Sequence, residues 1–438
     1  MEIESLATRA PDIQFTDRRK NLPKPYPSRT TLAEETVLSP SLIATIAVAS
    51  GVAVANTYYN QPMLADMARA FHCSPHQIGL VATATQVGYA AGMPLFLPLG
   101  DLIERRRLIV SLFVAVGCAL ALAAASTSLS GIVAASFLIG LTTVIAQIMI
   151  PAASDLAHPA EGGRVIGKIM TGVLLGILLA RTLSGAVSEH FGWRTMFLLA
   201  AALAWIFAGL LRVRLPLMPS RMKSTYGQLI LSLWTFVREH PELRQVSLIA
   251  GMFFAAFSAF WTTLVFLLEM PRYHLGSQAA GLFGLVGGIS ALVAPAAGHV
   301  SDRRGSRYVV ILSIFGMLTA FAIFWSLPYQ IWGLIAGVIV LDAAVQAAQV
   351  ANQSCVFALR PDARSRINTI YMLCYFGGAS LGSFLGSWAW GAWGWAGVCA
   401  VAIGFVLVAV ATVLLSHPYP DPGGSGLSAL KRLRQASR

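Results

Sequence analysis

The stretch 298-GHVSDRRG-305 has a counterpart in 100-GDLIERRR-107. Both set a glycine, three residues, an acid and two arginines in the same order, and both follow a long apolar run. A second correspondence lies further on, where 192-GWR-194 and 394-GW-395 each precede the last apolar run of their half. Aligning those tryptophans also aligns Gln147 with Gln349. The repeat is faint but consistent, and it divides the chain into two similar halves.

Composition fixes the solvent around those halves. Of 438 residues 56% are hydrophobic and 11% charged, with a mean hydropathy of +0.68, whereas soluble domains carry roughly a quarter charged residues. A helix needs roughly 20 residues to cross a hydrocarbon layer of about 30 Å with its backbone hydrogen bonds closed internally. Twelve runs meet that length, near 40–62, 77–99, 108–126, 129–152, 166–188, 194–212, 246–268, 278–299, 308–327, 331–353, 367–388 and 395–416. The expected fold is an all-α membrane protein of twelve transmembrane helices in two pseudo-symmetric six-helix halves, at 38–213 and 245–416. The segment 214–244 reads as a cytoplasmic central linker and 1–37 as a disordered cytoplasmic tail lacking the apolar core of a cleavable signal. A second solvated cytoplasmic tail, with a short basic end, is expected over 417–438.

A net charge of +12 raises the question of nucleic acid, but in a membrane protein the placement of Lys and Arg sets topology. With the N-terminus inside, 27 of the 31 basic residues fall on inside segments, leaving Arg69, Arg194 and Arg272 outside and Arg181 within a span. That excess predicts a multi-pass protein with both termini cytoplasmic, and nucleic acid is not an expected partner. The five cysteines form no CxxC pair, the eight histidines are scattered, and no Ser/His/Asp set, metal cluster or GxxxxGK[ST] phosphate loop occurs. No cofactor, metal or enzymatic activity is expected.

The two octets resemble the loop motif G-x-x-x-D-R-x-G-R-[RK] of the major facilitator superfamily, which follows helix 2 and often helix 8. The second copy matches at Gly298, Asp302, Arg303, Gly305 and Arg307, while the first has Glu104 for Asp and Arg107 in the place of Gly. The stretches 58-YYNQP-62, 83-TATQVGYAAG-92, 176-GILLARTLSGAV-187 and 364-RSRINTIYM-372 are similar to the drug and metabolite efflux branch, near the purine-ribonucleoside and arabinose-type exporters. The resemblance covers all twelve spans. It implies a major facilitator fold in the bacterial cytoplasmic (inner) membrane, a monomer exporting a small organic solute in exchange for protons by alternating access. It also implies that acid–base pairs at cytoplasmic helix ends latch the outward-facing state, with Gly100, Asp101, Glu104, Arg105, Gly298, Asp302 and Arg303 as the candidates. Positive-inside topology alone accounts for the arginines but not the acids. A proton-independent facilitator or importer, and a non-transporting membrane sensor on the same fold, are the alternatives.

Ionisable groups at the centre of a bilayer cost about 2.5–3.5 kcal/mol on insertion scales. Among 19 acids only Asp342 falls near mid-span, in 337-GVIVLDAAVQAAQVANQ-353. At about 100° per residue, steps of 4, 7 and 11 return to within about 40° of it, so Gln346, Gln349 and Gln353 share its face. The resemblance implies that this tenth helix borders a central cavity with helices 1, 4 and 7, which makes Asp342 the candidate proton-coupling carboxylate. A structural hydrogen bond or a permanent ion pair is the competing reading.

Arg181 is the other embedded charge, readable as an anion-binding group, a counter-ion or a side chain snorkelling to the nearer interface. Tyr59, Asn60 and Gln61 crowd the outer end of the first helix ahead of Pro62 and exceed what interfacial anchoring needs. Gln86, Gln147, Trp261, Asn368 and Tyr371 complete the candidate solute contacts, each equally readable as packing or interhelical hydrogen bonding. The pairs Gly88/Gly92 and Gly378/Gly382, and the run 281-GLFGLVGG-288, read as close helix contacts.

Overall fold

The computed structural model describes residues 39–158, 161–218, 226–359 and 364–415. The tails expected at 1–37 and 417–438 lie outside the described residues. Span 1 is Pro40–Phe71, span 2 Pro75–Leu102, span 3 Arg105–Ala125, span 4 Leu129–Leu156, span 5 Gly162–Phe191 and span 6 Trp193–Arg214. Span 7 is Pro241–Leu268, span 8 Ser277–Arg304, span 9 Ser306–Ser326 and span 10 Ile331–Leu359. The last run, Arg364–Leu415, is two helices broken at Gly394, whose φ of 62° and ψ of −151° are not helical. Spans 11 and 12 are its parts at 364–393 and 395–415, so the described chain carries the twelve spans its apolar runs require.

The repeated motifs have a backbone cause. Gly192 and Gly394, the glycines of the two Gly-Trp pairs, take φ of 83° and 62° in the turns between spans 5 and 6 and between spans 11 and 12. Glycine adopts that region without the Cβ penalty that other residues meet. Gly305 does the same between spans 8 and 9, at φ 87°. The first octet has no such glycine, and there the turn is made by extended Ile103 and Glu104 before span 3 starts at Arg105. Elsewhere serines cap the helices: Ser39, Ser74 and Ser128 each accept a first-turn N–H, and Ser74 with Gln77 forms a capping box.

Three expectations change. Span 1 does not stop at Pro62; it bends at residues 56–59 and continues as Asn60–Phe71. Proline in the first turn of that second segment lacks only an N–H that would be orphaned there anyway. Asn60 and Gln61 therefore sit at a bend within the bundle rather than at its rim. Span 5 runs to Phe191, which sets Arg181 about 15 Å of helix rise from that end. The central linker contains a helix, Tyr226–Glu239, whose Tyr226 hydroxyl donates to the carbonyls of Pro94 and Leu95 at 3.2 Å.

Close glycine contacts pair the spans within each half. A Cβ on Gly176 of span 5 would strike Gly51 of span 1, and one on Gly378 of span 11 would strike Gly251 of span 7. The offset that aligns Gln147 with Gln349 also aligns Gly176 with Gly378, while their partners Gly51 and Gly251 lie two residues out of that register. Gly382 meets Ala255 in the same interface, and Gly88 and Gly92 of span 2 meet Phe137 and Leu141 of span 4. Gly378→Leu is expected to cost about 1–3 kcal/mol of overpacking, seen as a lower unfolding temperature in detergent. Gly377→Leu, at a position with open space, is expected to leave that temperature unchanged.

The halves meet along span 2 with span 11, span 5 with span 8, and the Asn60–Phe71 segment with spans 7 and 8. The end of the bundle bearing the Tyr226–Glu239 helix is termed the linker end, and the opposite one the far end.

Candidate functional site

A cavity of about 300 Å³ lies between the halves. Span 5 contributes Thr171, Leu174, Leu178 and Arg181, and span 10 contributes Asp342, Val345, Gln346 and Gln349. Tyr58, Phe254, Phe257, Tyr375 and the Gly284–Ser290 stretch of span 8 complete the wall. On each of spans 5, 7, 8 and 10 the charged or far-end member comes at one extremity. The cavity therefore runs from Arg181 and Asp342 toward the linker end.

Arg181 and Asp342 are 3% and 8% exposed and meet through one side chain, Trp261. The indole N–H donates to Asp342 Oδ1 at 3.3 Å, and the Arg181 guanidinium lies 4.0 Å over the indole ring centre. Arg181 also stacks over Tyr58 at 4.9 Å, and its Nε donates to Gln61 Oε1 at 2.9 Å. Its Nη2 is buried without a hydrogen-bond partner. A charge so enclosed does not snorkel; it is held by a cation–π stack and one amide, with donor capacity left over. The glycines of 281-GLFGLVGG-288 divide in role. Gly281 packs on the span 5 backbone, whereas a Cβ on Gly284 or Gly287 would intrude on the side chains of Arg181 or Asp342.

The other sequence candidates are distributed around this centre. Gln346 and Gln349 line the cavity, and Gln349 accepts a 3.3 Å hydrogen bond from the Tyr375 hydroxyl. Gln61 and Trp261 touch the charged pair from behind the wall. Asn60 donates to Thr85 at 2.8 Å, and Tyr59 is buried beside it. Gln147 donates to the Tyr89 hydroxyl at 3.5 Å and lines a small pocket near Gly100, Asp101 and Arg105 instead of the main cavity. Gln86, Asn368 and Tyr371 are off the cavity wall, each with a buried oxygen lacking a partner, and Gln353 is half-buried beyond Gln349. Tyr58, in the polar cluster that ends the first apolar run, and Tyr375, on the helical face of Asn368 and Tyr371, are on the wall; Phe254 and Phe257 are wall residues absent from the sequence candidates, because one phenylalanine in an apolar helix carries no signal that separates wall from core.

Beyond the charged pair the far end is closed by polar contacts between the halves. Ser188 of span 5 and Ser277 of span 8 both donate to Asp66 Oδ2. Arg69 bridges Asp66 and Glu269, and Glu189 accepts from the Gln278 N–H at 2.8 Å. Burial lifts the Glu269 carboxyl above its usual range; Arg69 opposes this, and Asp66 and Glu189 add to it. An acid whose pKa is raised in the closed state holds its proton more tightly there than when opened to water. Acidity therefore favours closure, and the effect is lost as pH rises through the raised value. Spin labels at Ala70 and Pro271 are expected to show the closed distance gaining population as pH falls from neutral, with Glu269→Gln flattening the response.

At the linker end Arg105 donates to Asp155 at 2.7 Å, to Asp101 at 2.9 Å and to the Gly100 carbonyl at 2.9 Å, tying spans 2, 3 and 4 together. Glu104 accepts from the Met218 N–H at 3.3 Å. In the second octet Asp302 and Arg303 are exposed and have no ion-pair partner among the described residues, and Gly298 approaches Val350. The ion pairs described at this end join residues of the N-terminal half.

Two six-span halves enclosing a polar cavity with a buried charged pair define a membrane transporter. The sequence matches the Major Facilitator Superfamily over residues 46–358 and 289–436, and the chain belongs to that superfamily. It is 40% identical over 371 residues to the uncharacterized transporter YgaY of Escherichia coli O157:H7, covering 85% of this chain and 94% of that protein. It is 33% identical over 358 residues to the probable transporter SCO4007 of Streptomyces coelicolor, covering 82% and 83%. The nucleoside transporter NupG superposes with a TM-score of 0.67 at 16% identity, covering 86% of this chain and 99% of that one. A bacterial homologue of the human lysosomal transporter Spinster, inward-facing and occupied, superposes at 0.66 with 13% identity, covering 86% and 96%. These structural likenesses establish the fold.

Proposed function

We propose that the protein exports a small organic solute in exchange for protons, by alternating access, from the bacterial cytoplasmic membrane. The observation that carries this reading is the position of Asp342, an acid at the closed extremity of a cavity that runs toward the linker end. The clustering of basic residues at that end supports a cytoplasmic linker and termini, so the cavity faces the cytoplasm and can load from it. The direction of transport rests on the sequence similarity to efflux proteins. Fold likeness to NupG carries no solute with it, and one chain contains the whole cavity, so a monomer suffices.

In this reading, solute enters from the linker end and reaches Arg181 and Asp342 while the Asp66, Arg69 and Glu269 contacts keep the far end shut. Rocking of the halves then parts those contacts. It closes the linker end, where Gly100, Asp101, Glu104, Arg105, Gly298, Asp302 and Arg303 form the latch. Release at the far side leaves Asp342 open to a proton from that side, and the protonated carrier returns.

The test is reconstitution in proteoliposomes, with solutes drawn from metabolite pools that differ between cells overproducing wild type and Asp342→Asn. Counterflow and response to an imposed pH gradient are expected. Binding without movement would instead favour a sensor, and gradient-independent movement a facilitator.

A further inference from the structure

The cavity holds one fixed cation and one carboxylate, held by the face and the N–H edge of a single indole. Arg181 rests on the Trp261 ring face and Asp342 accepts from the Trp261 N–H. Neither is saturated: Arg181 Nη2 has no partner, and Asp342 Oδ2 faces the space that Gly287 leaves free. No ion pair within 4.0 Å joins the two among the described residues, so each presents its charge separately to whatever occupies the cavity. The rest of the wall combines an apolar and aromatic side, with Leu174, Leu178, Phe254 and Phe257, and polar groups nearer the linker end, with Thr171, Gln346 and Gln349.

We propose that the solute is a small zwitterion, an amino-carboxylate with an apolar or aromatic side chain, its carboxylate on Arg181 and its ammonium on Asp342. A net-neutral solute adds no net charge to a site whose own two charges cancel, which avoids the cost of an uncompensated buried ion. The guanidinium fork suits a planar carboxylate. The volume of about 300 Å³ admits one amino acid rather than a large drug. The assignment rests on the transport reading for its sense as cargo, and it explains the exchange: ammonium and proton compete for the same Asp342 oxygens. Arg181, Tyr58 and Tyr375 are the other titratable groups on the cavity wall.

The experiment uses the full chain in detergent, reading ligand-induced thermal stabilisation and deriving Kd. The probes are L-phenylalanine, 2-phenylethylamine and 3-phenylpropanoate, then leucine with its matching amine and acid. These share a body and differ only in charge. The zwitterion is expected to bind at least about tenfold more tightly than either singly charged analogue, the size of one charged hydrogen-bonded contact. Arg181→Gln removes the advantage over the amine and Asp342→Asn the advantage over the acid, while Arg181→Lys keeps part of it. Phenylalanine binding is expected to weaken as pH falls, in wild type and not in Asp342→Asn. Equal binding of an amine or acid by wild type, or no binding of either zwitterion, overturns the assignment without touching transport. Tight binding of phenylalanine that never counterflows leaves the site assigned and overturns the transport reading.

Discussion

Asp342→Asn is expected to lose proton-driven solute movement, falling to the level of protein-free vesicles, while counterflow at saturating solute continues. Asparagine retains an oxygen able to accept the Trp261 N–H and matches aspartate in volume, so the cavity wall and the Arg181 stack have no cause to collapse. What disappears is the one carboxylate on the cavity wall, the group proposed to exchange a proton. A structural aspartate would behave differently: its replacement would change stability and leave the response to a pH gradient intact. Gradient-driven transport by Asp342→Asn as fast as by wild type would remove Asp342 from coupling. Transport and the unfolding temperature are therefore to be measured on the same preparation.

The second large effect is expected at the far end. With Cys73 replaced by serine, Asp66→Cys and Ser277→Cys together should be joined by a short bifunctional thiol reagent, because the two native side chains are hydrogen-bonded to each other across the halves. A bridge there holds spans 1 and 8 together at the point that parts for release in the proposed cycle. Transport is expected to stop on cross-linking, to resume on cleavage of the reagent, and to be unaffected by reagent in either single variant. Solute binding from the linker end persists in the bridged protein, since the cavity lies on the other side of the closure. Undiminished counterflow after complete cross-linking would mean that this contact is not a moving gate.

The twelve spans were legible because burying a backbone in lipid forces long apolar runs, and the glycines of the repeated turns left their spacing in both halves. Asp342 with Gln346 and Gln349 was legible for a related reason: a polar stripe at helical spacing contrasts sharply with its surroundings. Contrast fails elsewhere. Phe254 and Phe257 look like any packed aromatics, and Pro62 looks like a stop until the bend at residues 56–59 puts it in a first turn. Asp66, Arg69 and Glu269 each read alone as an interfacial charge, and only the approach of the two halves makes them a closure. Arg181 was visible as a charge but not as an enclosed one, because span 5 continues past the apolar run that marks it.

Trp261 gives the protein an optical signal of its own. The indole is carried by the C-terminal half and the guanidinium on its face by the N-terminal half, so any rocking that separates the halves uncovers the ring and changes the field acting on its excited state. A form retaining Trp261 as its sole tryptophan would then change colour and intensity with each conformational cycle, allowing turnover to be followed in unlabelled protein.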